Sequence, residues 1–377
     1  MTAESTINVL QLVEGLNLGG AETKLLELIS QMDRSRFKTT VCSLGMGDRI
    51  REAVEKLNVN YVGLQRKSRI DLSLVFKVAK LIRREKIDVV MTTLFYADVV
   101  GALAGSLGHA KAVFSWETIS APEWLLKRRL WAYRFAMRYC DTVVSVSDAT
   151  AKWLIEKRGL RPDKVVVIPY GVNLDLFRQG KNNSLKNELQ IPLEAPVVGV
   201  VARLHPQKGH RYLIEAAGKI VEQLPETRFV LVGDGELRGE LEALVQAKKL
   251  DKHFLFLGFR NDVKELMRTF DIFVLPSLYE GLPNVILEAM ATGLPVVATA
   301  VDGSPELVVN EQTGYLIPPR DPEQIAEKVL NLFSDQERRQ AFGKRSRERV
   351  EKHFSLDLQV QNFQNLYEKF VTNGHSK

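Results

Sequence analysis

The chain has 377 residues, 45% hydrophobic and 26% charged, with 25 Gly and 14 Pro, which excludes disordered and fibrous classes and leaves room for two or three domains. Its two cysteines, Cys42 and Cys140, exclude a disulfide-stapled scaffold and lack the spacing of a metal site or redox pair. The net charge is +6, yet residues 1–180 hold 27 Lys and Arg against 19 Asp and Glu while the remainder is slightly acidic, so the first half is expected to face an acidic partner.

The first residues lack the charged start and long apolar stretch of a signal peptide, and no apolar run reaches the roughly 18 residues of a membrane span. A cytoplasmic location is the expectation. Strand-length β-branched runs then alternate with amphipathic stretches: INVLQLV from Ile7, KTTVCSL from Lys38, IDVVMTT from Ile87, AVFSW from Ala112, TVVSVS from Thr142 and VVVIPYG from Val165. This βα repetition predicts a parallel sheet. After the first strand, Gly15-Leu-Asn-Leu-Gly19-Gly20-Ala21-Glu22 leads into a helical pattern. Gly19 and Gly20 there either let the backbone approach a phosphate at a helix N-terminus or form a simple tight turn.

Between residues 124 and 138 basic and aromatic residues share helical spacing: Trp124, Lys127, Arg128, Arg129, Trp131, Tyr133, Arg134 and Arg138. Such a helix suits an anionic membrane surface. The local alternative is an amphipathic helix that packs its apolar side on the sheet and solvates its cations. No nucleic-acid motif accompanies the charge, so nucleic acid is not an expected partner.

The pattern breaks over residues 178–195, which are polar, Asn-rich and carry Pro192, and read as a linker. The predicted boundaries are an N-terminal domain over 1–178, a linker over 179–195 and a second domain over 196–354. A second βα series supplies that domain: PVVGVVA from Pro196, RFVLVG from Arg228, HFLFLG from His253, DIFVLP from Asp271, PVVAT from Pro295 and GYLIPP from Gly314. Two parallel-sheet domains face to face would make a cleft beyond the carboxyl ends of their strands, where ligands are expected.

Within this series, Arg203 and Lys208 follow a buried strand, with Pro206 and Gly209 fixing the turn. A guanidinium fork and an ammonium at such an edge suit a diphosphate and need no metal; the alternative is two solvated surface cations. The cluster Gly233, Gly235, Gly239 lacks G-x-G-x-x-G spacing and reads as an ordinary turn. In Glu280-Gly281-Leu282-Pro283-Asn284-Val-Ile-Leu-Glu288, Glu280 closes a loop after the strand DIFVLP, and Glu288 shares a helix face with Asn284. A carboxylate in so apolar a segment needs hydrogen-bond donors, and sugar hydroxyls are suitable ones; the alternative for Glu288 is a plain helix-surface glutamate.

Together the Glu280-x7-Glu288 pair, Arg203 with Lys208, the Gly19-Gly20 loop, and the run Gly293-Leu-Pro-Val-Val-Ala-Thr with Asp302-Gly303-Ser-Pro-Glu306 resemble the retaining glycosyltransferases of family 4. The resemblance implies the GT-B fold: α/β, with two Rossmann-like parallel-sheet domains facing across a cleft. It also implies that the tail helix, 355–371, packs back on the first domain as part of a hinge. The implied donor-binding residues are Gly19 and Gly20 approaching the phosphates, Arg203 and Lys208 on the diphosphate, Glu280 with Gly281, Leu282 and Asn284 at the sugar, Glu288 at the ribose, and Arg260 near the base.

The implied reaction is transfer of a sugar, with retention, from a nucleotide-diphosphate sugar to a lipid-linked or cell-surface saccharide. UDP is favoured over GDP, and no cofactor or metal ion is expected. Glu280, Arg203, Lys208 and Glu117 are the candidate catalytic residues. One departure is plain: relatives often carry His after the strand at Ala112, where this chain has Trp116 and Glu117. Those two either serve the sugar site or are structural. A nucleotide-sugar 2-epimerase of the same fold and a non-catalytic nucleotide-sugar-binding protein are the alternatives. Association with the inner face of a membrane through 124–138 is a further implication.

Overall fold

A computed structural model of the chain describes residues 6–14, 20–45, 51–68, 71–120 and 125–372. The chain forms two compact units, Met1–Tyr170 with Leu356–Lys377, and Gly171–Ser355.

The sheet of the first unit contains β1 (Ile7–Val13), β2 (Phe37–Ser43), β3 (Asn60–Gly63), β4 (Val89–Thr93), β5 (Ala112–Glu117), β6 (Thr142–Ser145) and β7 (Val165–Val167). Their order is β3-β2-β1-β4-β5-β6-β7, and all pairs are parallel. The burial follows from position. Strands β4 and β5 are buried along their whole length, whereas β3 and β7, at the edges, are partly exposed, as expected when helices cover both faces of a parallel sheet. Val13 pairs with Ser43 on one side and Thr93 on the other, so the order reverses on either side of β1.

The second unit repeats the plan with β8 (Val197–Val201), β9 (Arg228–Val232), β10 (Phe254–Gly258), β11 (Ile272–Leu275), β12 (Val296–Thr299) and β13 (Gly314–Ile317). Here the order is β10-β9-β8-β11-β12-β13, again parallel. The reversal lies between β8 and β11, and in open parallel sheets ligands gather at the carboxyl ends flanking such a point. Val198, Val200, Leu213, Ile214, Phe229 and Val274 centre the core of this unit.

The polar stretch 179–195 lies inside the second unit, and the chain leaves the first unit at residue 170. Its polar residues anchor it. Asn182 caps the helix Asn183–Glu188 by accepting from the Leu185 amide at 3.1 Å, and its own amide donates to the Arg268 carbonyl at 3.0 Å. Buried Lys186 donates to the carbonyls of Leu193 and Ala195 at 2.9 and 3.1 Å. Capping and carbonyl anchoring account for the polar composition that imitates a linker.

Helix Leu356–Thr372 belongs to the first unit. It lays aromatic rings on that sheet. Phe363 meets Trp116 edge-on at 5.1 Å, Tyr367 stacks on Phe114 at 5.9 Å, and Phe370 meets Phe114 edge-on at 5.0 Å. The Gln11 side chain donates to the Tyr367 hydroxyl at 3.3 Å, and Arg36 pairs with Glu368.

Candidate active site

Three loops leave the carboxyl ends of β8, β11 and β12, and hydrogen bonds tie them together. After β8, His205 caps a short 3-10 turn, Pro206–Lys208, its Nδ1 accepting from the Gln207 amide at 3.2 Å. Gly209 ends the turn at φ +63°, where a Cβ would lie 2.1 Å from the Pro276 carbonyl oxygen, so only glycine lets the two loops approach so closely. Buried Gln207 binds the β11 loop twice: its side chain donates to the Tyr279 carbonyl at 2.8 Å, and its carbonyl accepts from the Leu278 amide at 2.7 Å.

That link delivers Lys208 to Glu280. Lys208 Nζ lies 2.5 Å from Glu280 Oε1, with the two side chains 18% and 6% exposed. The same oxygen accepts from Ser277 Oγ at 2.6 Å. From β12 the third loop closes the set: Thr299 Oγ1 donates to the Ser277 carbonyl at 2.5 Å, and Asp302 Oδ2 accepts from the Glu280 amide at 2.6 Å. An oriented ammonium and carboxylate therefore sit side by side at the switch point, a pairing that offers both a cation for phosphate and acceptors for hydroxyls.

The other expected residues of this unit are near in the fold. Arg203 is exposed just beyond β8 and has no partner carboxylate among the described residues. Gly281 and Leu282 are buried in the β11 loop. Glu288 and Asn284 occupy the half-exposed side of helix Asn284–Ala291, opposite buried Ile286, Leu287 and Met290. Arg260, beyond β10, is engaged in a two-pronged pair with Asp262, at 2.8 and 2.6 Å. Next to it Phe259 is 64% exposed.

In the first unit, Gly20 opens helix Gly20–Gln31, while Gly19 lies outside the described residues. Glu117, at the end of β5, is 5% exposed, and its Oε1 accepts from Arg158 Nη1 at 2.6 Å. Arg158 is itself fully buried, with its guanidinium 3.2 Å above the Tyr133 ring. The described role of Glu117 is thus counter-ion to a buried guanidinium. Trp116 is 1% exposed and packs against Tyr170 and Phe363. A second buried carboxylate, Asp98, lies in the same region; its Oδ1 accepts from Thr92 Oγ1 at 2.5 Å and Ser115 Oγ at 2.9 Å. Burial, then the charge of Glu117, pushes Asp98 well above the usual carboxylate range.

Several of these groups escape a reading of the sequence. Gln207 and Ser277 lie beside the expected residues, yet the role of Gln207 depends on Tyr279, 72 residues away, and that of Ser277 on Glu280 and on Thr299, 22 residues on. His210, directly after Gly209, is 2% exposed; neither ring nitrogen has a partner among the described residues, and burial together with the Lys208 charge pushes its pKa down to about 4. The sequence signal was a histidine opening a helix beside two candidate cations.

The basic helix, Lys127–Ala136, turns its aromatic side outward. Trp131, Phe135 and Tyr139 are 71%, 38% and 39% exposed and form a ladder with ring spacings of 5.8 Å. Tyr133 and Ala136 are the buried contacts. Lys127, Arg128, Arg129, Arg134 and Arg138 pair with no carboxylate among the described residues.

Comparison with known proteins matches both halves of the chain. The family model described as "Glycosyltransferase Family 4" matches residues 18–176, and "Glycosyl transferases group 1" matches residues 181–349. An Escherichia coli UDP-Gal:alpha-D-GlcNAc-diphosphoundecaprenol alpha-1,3-galactosyltransferase is 32% identical over 80% of this chain and 81% of its own. The crystal structure of Anabaena Alr3699/HepE with UDP superposes with a TM-score of 0.88 at 24% identity, covering 96% of this chain and all of the other. The same protein with UDP-glucose gives 0.86 at 25% identity over the same shares.

Proposed function

Because the chain belongs to glycosyltransferase family 4 and has the GT-B fold of two Rossmann-like sheets, we propose that it moves a sugar, with retention, from a UDP-sugar to a saccharide on a lipid or cell-surface carrier. The observation that carries this reading is the Lys208–Glu280 pair at the β8/β11 switch point, beside exposed Arg203. Arg203 and Lys208 neutralise the diphosphate as the bond from the anomeric carbon to its oxygen breaks. The acceptor hydroxyl attacks on the same face, and its proton passes to the departing phosphate oxygen. Glu280 holds hydroxyls of the sugar, Glu288 holds the ribose, and the turn through Gly281, Leu282 and Asn284 shapes the space between them. With two cations in place, charge stabilisation needs no metal ion.

The acceptor of the Escherichia coli relative is a diphosphoundecaprenol-linked sugar, and a lipid carrier requires work at a membrane. In this reading the ladder Trp131-Phe135-Tyr139, among cations that pair with no carboxylate of the described residues, rests on an anionic bilayer at its inner face. No described helix is long and apolar enough to cross a membrane.

Calorimetric titration with UDP, GDP and ADP in excess chelator tests the donor site. Selective metal-free binding of UDP, weakened by about 1.5–3 kcal/mol in Arg203→Ala, is the expected result. Equal affinity of wild type and variant defeats the diphosphate assignment. NMR of the product's anomeric signal then distinguishes retention from inversion.

A further inference from the structure

Asp302 stands just past β12 with φ +42°, a left-handed conformation that non-glycine residues seldom adopt. Its Oδ2 accepts the Glu280 amide at 2.6 Å, and no donor among the described residues reaches Oδ1. The turn is locked from the next residue on. The Gly303 amide donates to the Gly281 carbonyl at 3.0 Å, and a Cβ on Gly303 would lie 2.2 Å from that oxygen. Burial, and the nearby Glu280 charge, hold Asp302 above the ordinary carboxylate range.

None of these features calls for a carboxylate. Asparagine would accept the same amide bond without a charge, and glycine would take the left-handed turn without strain. Placing a second carboxylate beside Glu280 adds like-charge repulsion, which a donor to Oδ1 would offset. What aspartate alone adds is a second acceptor oxygen at the carboxyl edge of β12, adjoining the carboxylate proposed to hold the sugar.

We infer that Asp302 is a specificity-determining residue whose Oδ1 accepts a hydroxyl of the transferred sugar, in company with Glu280. This inference rests on the nucleotide-sugar reading above. It makes Asp302 a reader of the sugar and leaves the nucleotide to Arg203, Lys208 and Glu288.

The test compares UDP with UDP-glucose and UDP-galactose by titration calorimetry on wild type, Asp302→Asn and Asp302→Gly. The readout is the ratio of the Kd for UDP to the Kd for each UDP-sugar. In Asp302→Asn, UDP affinity should stay within about twofold while the ratio for the preferred sugar falls about tenfold, the difference between a charged and a neutral hydrogen bond. Asp302→Gly should lose the same sugar increment. If both variants keep the wild-type ratio, Asp302 is a loop clamp only and the inference is overturned. Loss of UDP affinity in Asp302→Asn overturns it as well, since the carboxylate would then serve the nucleotide. Wild type that binds none of the three ligands overturns the nucleotide-sugar reading itself, a result distinct from unchanged ratios.

Discussion

Lys208 and Glu280 are 72 residues apart in the chain, yet their charged ends lie 2.5 Å apart because Gln207 binds one loop to the other. The carboxylate is nearly sealed from solvent, so removing its cation strands a buried charge. Lys208→Ala should therefore lower unfolding stability by roughly 3 kcal/mol, the low end for breaking a buried pair. Arg203→Ala, at an exposed position, should change stability by less than about 0.5 kcal/mol. Urea unfolding of the two variants separates the cations: equal stability would mean that Lys208 is not structurally coupled to Glu280.

Membrane docking through the aromatic ladder predicts a loss of binding without a loss of stability. Trp131 is 71% exposed, so Trp131→Ala should leave the melting temperature unchanged. Its binding to phosphatidylglycerol vesicles should weaken roughly tenfold, the scale of one large apolar side chain withdrawn from the bilayer. Neutral phosphatidylcholine vesicles should bind weakly throughout, and added salt should release the protein. Co-sedimentation that ignores both lipid charge and the substitution would remove this surface from the account.

Asp98 makes stability depend on pH in a definite direction. Its pKa is raised in the folded state, so above the ordinary value of 3.8 the folded chain retains a proton that the unfolded chain has released. Stability consequently falls as pH rises through that window, by up to about 1.4 kcal/mol per pH unit while the proton is held. Asp98→Asn keeps an acceptor for Thr92 and Ser115 without the titration. Denaturation at pH 5.5 and 8 should show the variant gaining on wild type as pH increases; a constant difference would mean that Asp98 is ionised throughout.

Phe363 is fully buried against Trp116. Phe363→Ala should cost roughly 3–5 kcal/mol, and hydrogen exchange should report the loss in the first unit while strands β8 to β13 keep their protection. Uniform loss across both units would indicate a single cooperative block.

The parts that were legible in the sequence depend on local pattern. Runs such as Val197–Val201, buried from end to end, announce central parallel strands, and Arg203, Lys208 and Glu280 are visible as polar residues just past such runs. The parts that were not legible depend on partners distant in sequence. Glu117 looks available until Arg158, 41 residues on, occupies it. Helical spacing places aromatics and cations together at 124–138, of which Trp124 lies outside the described residues, but it does not say that Trp131 and Phe135 face outward, because that choice lies with Tyr133, buried beneath the Arg158 guanidinium. The polar composition of 179–195 concealed Asn182 and Lys186, whose polar atoms serve the backbone of their own unit.

The division of the chain also sets an order of events at the ribosome. Helix Leu356–Thr372 is synthesised only after the whole second unit, although its rings cover Phe37, Phe114 and Trp116 on the sheet made first. During translation that apolar face waits uncovered while some 185 further residues emerge, a period in which nascent chains rely on chaperones. A chain cut before Leu356 would leave Phe37, Phe114 and Trp116 without the rings of Phe363 and Tyr367 that cover them.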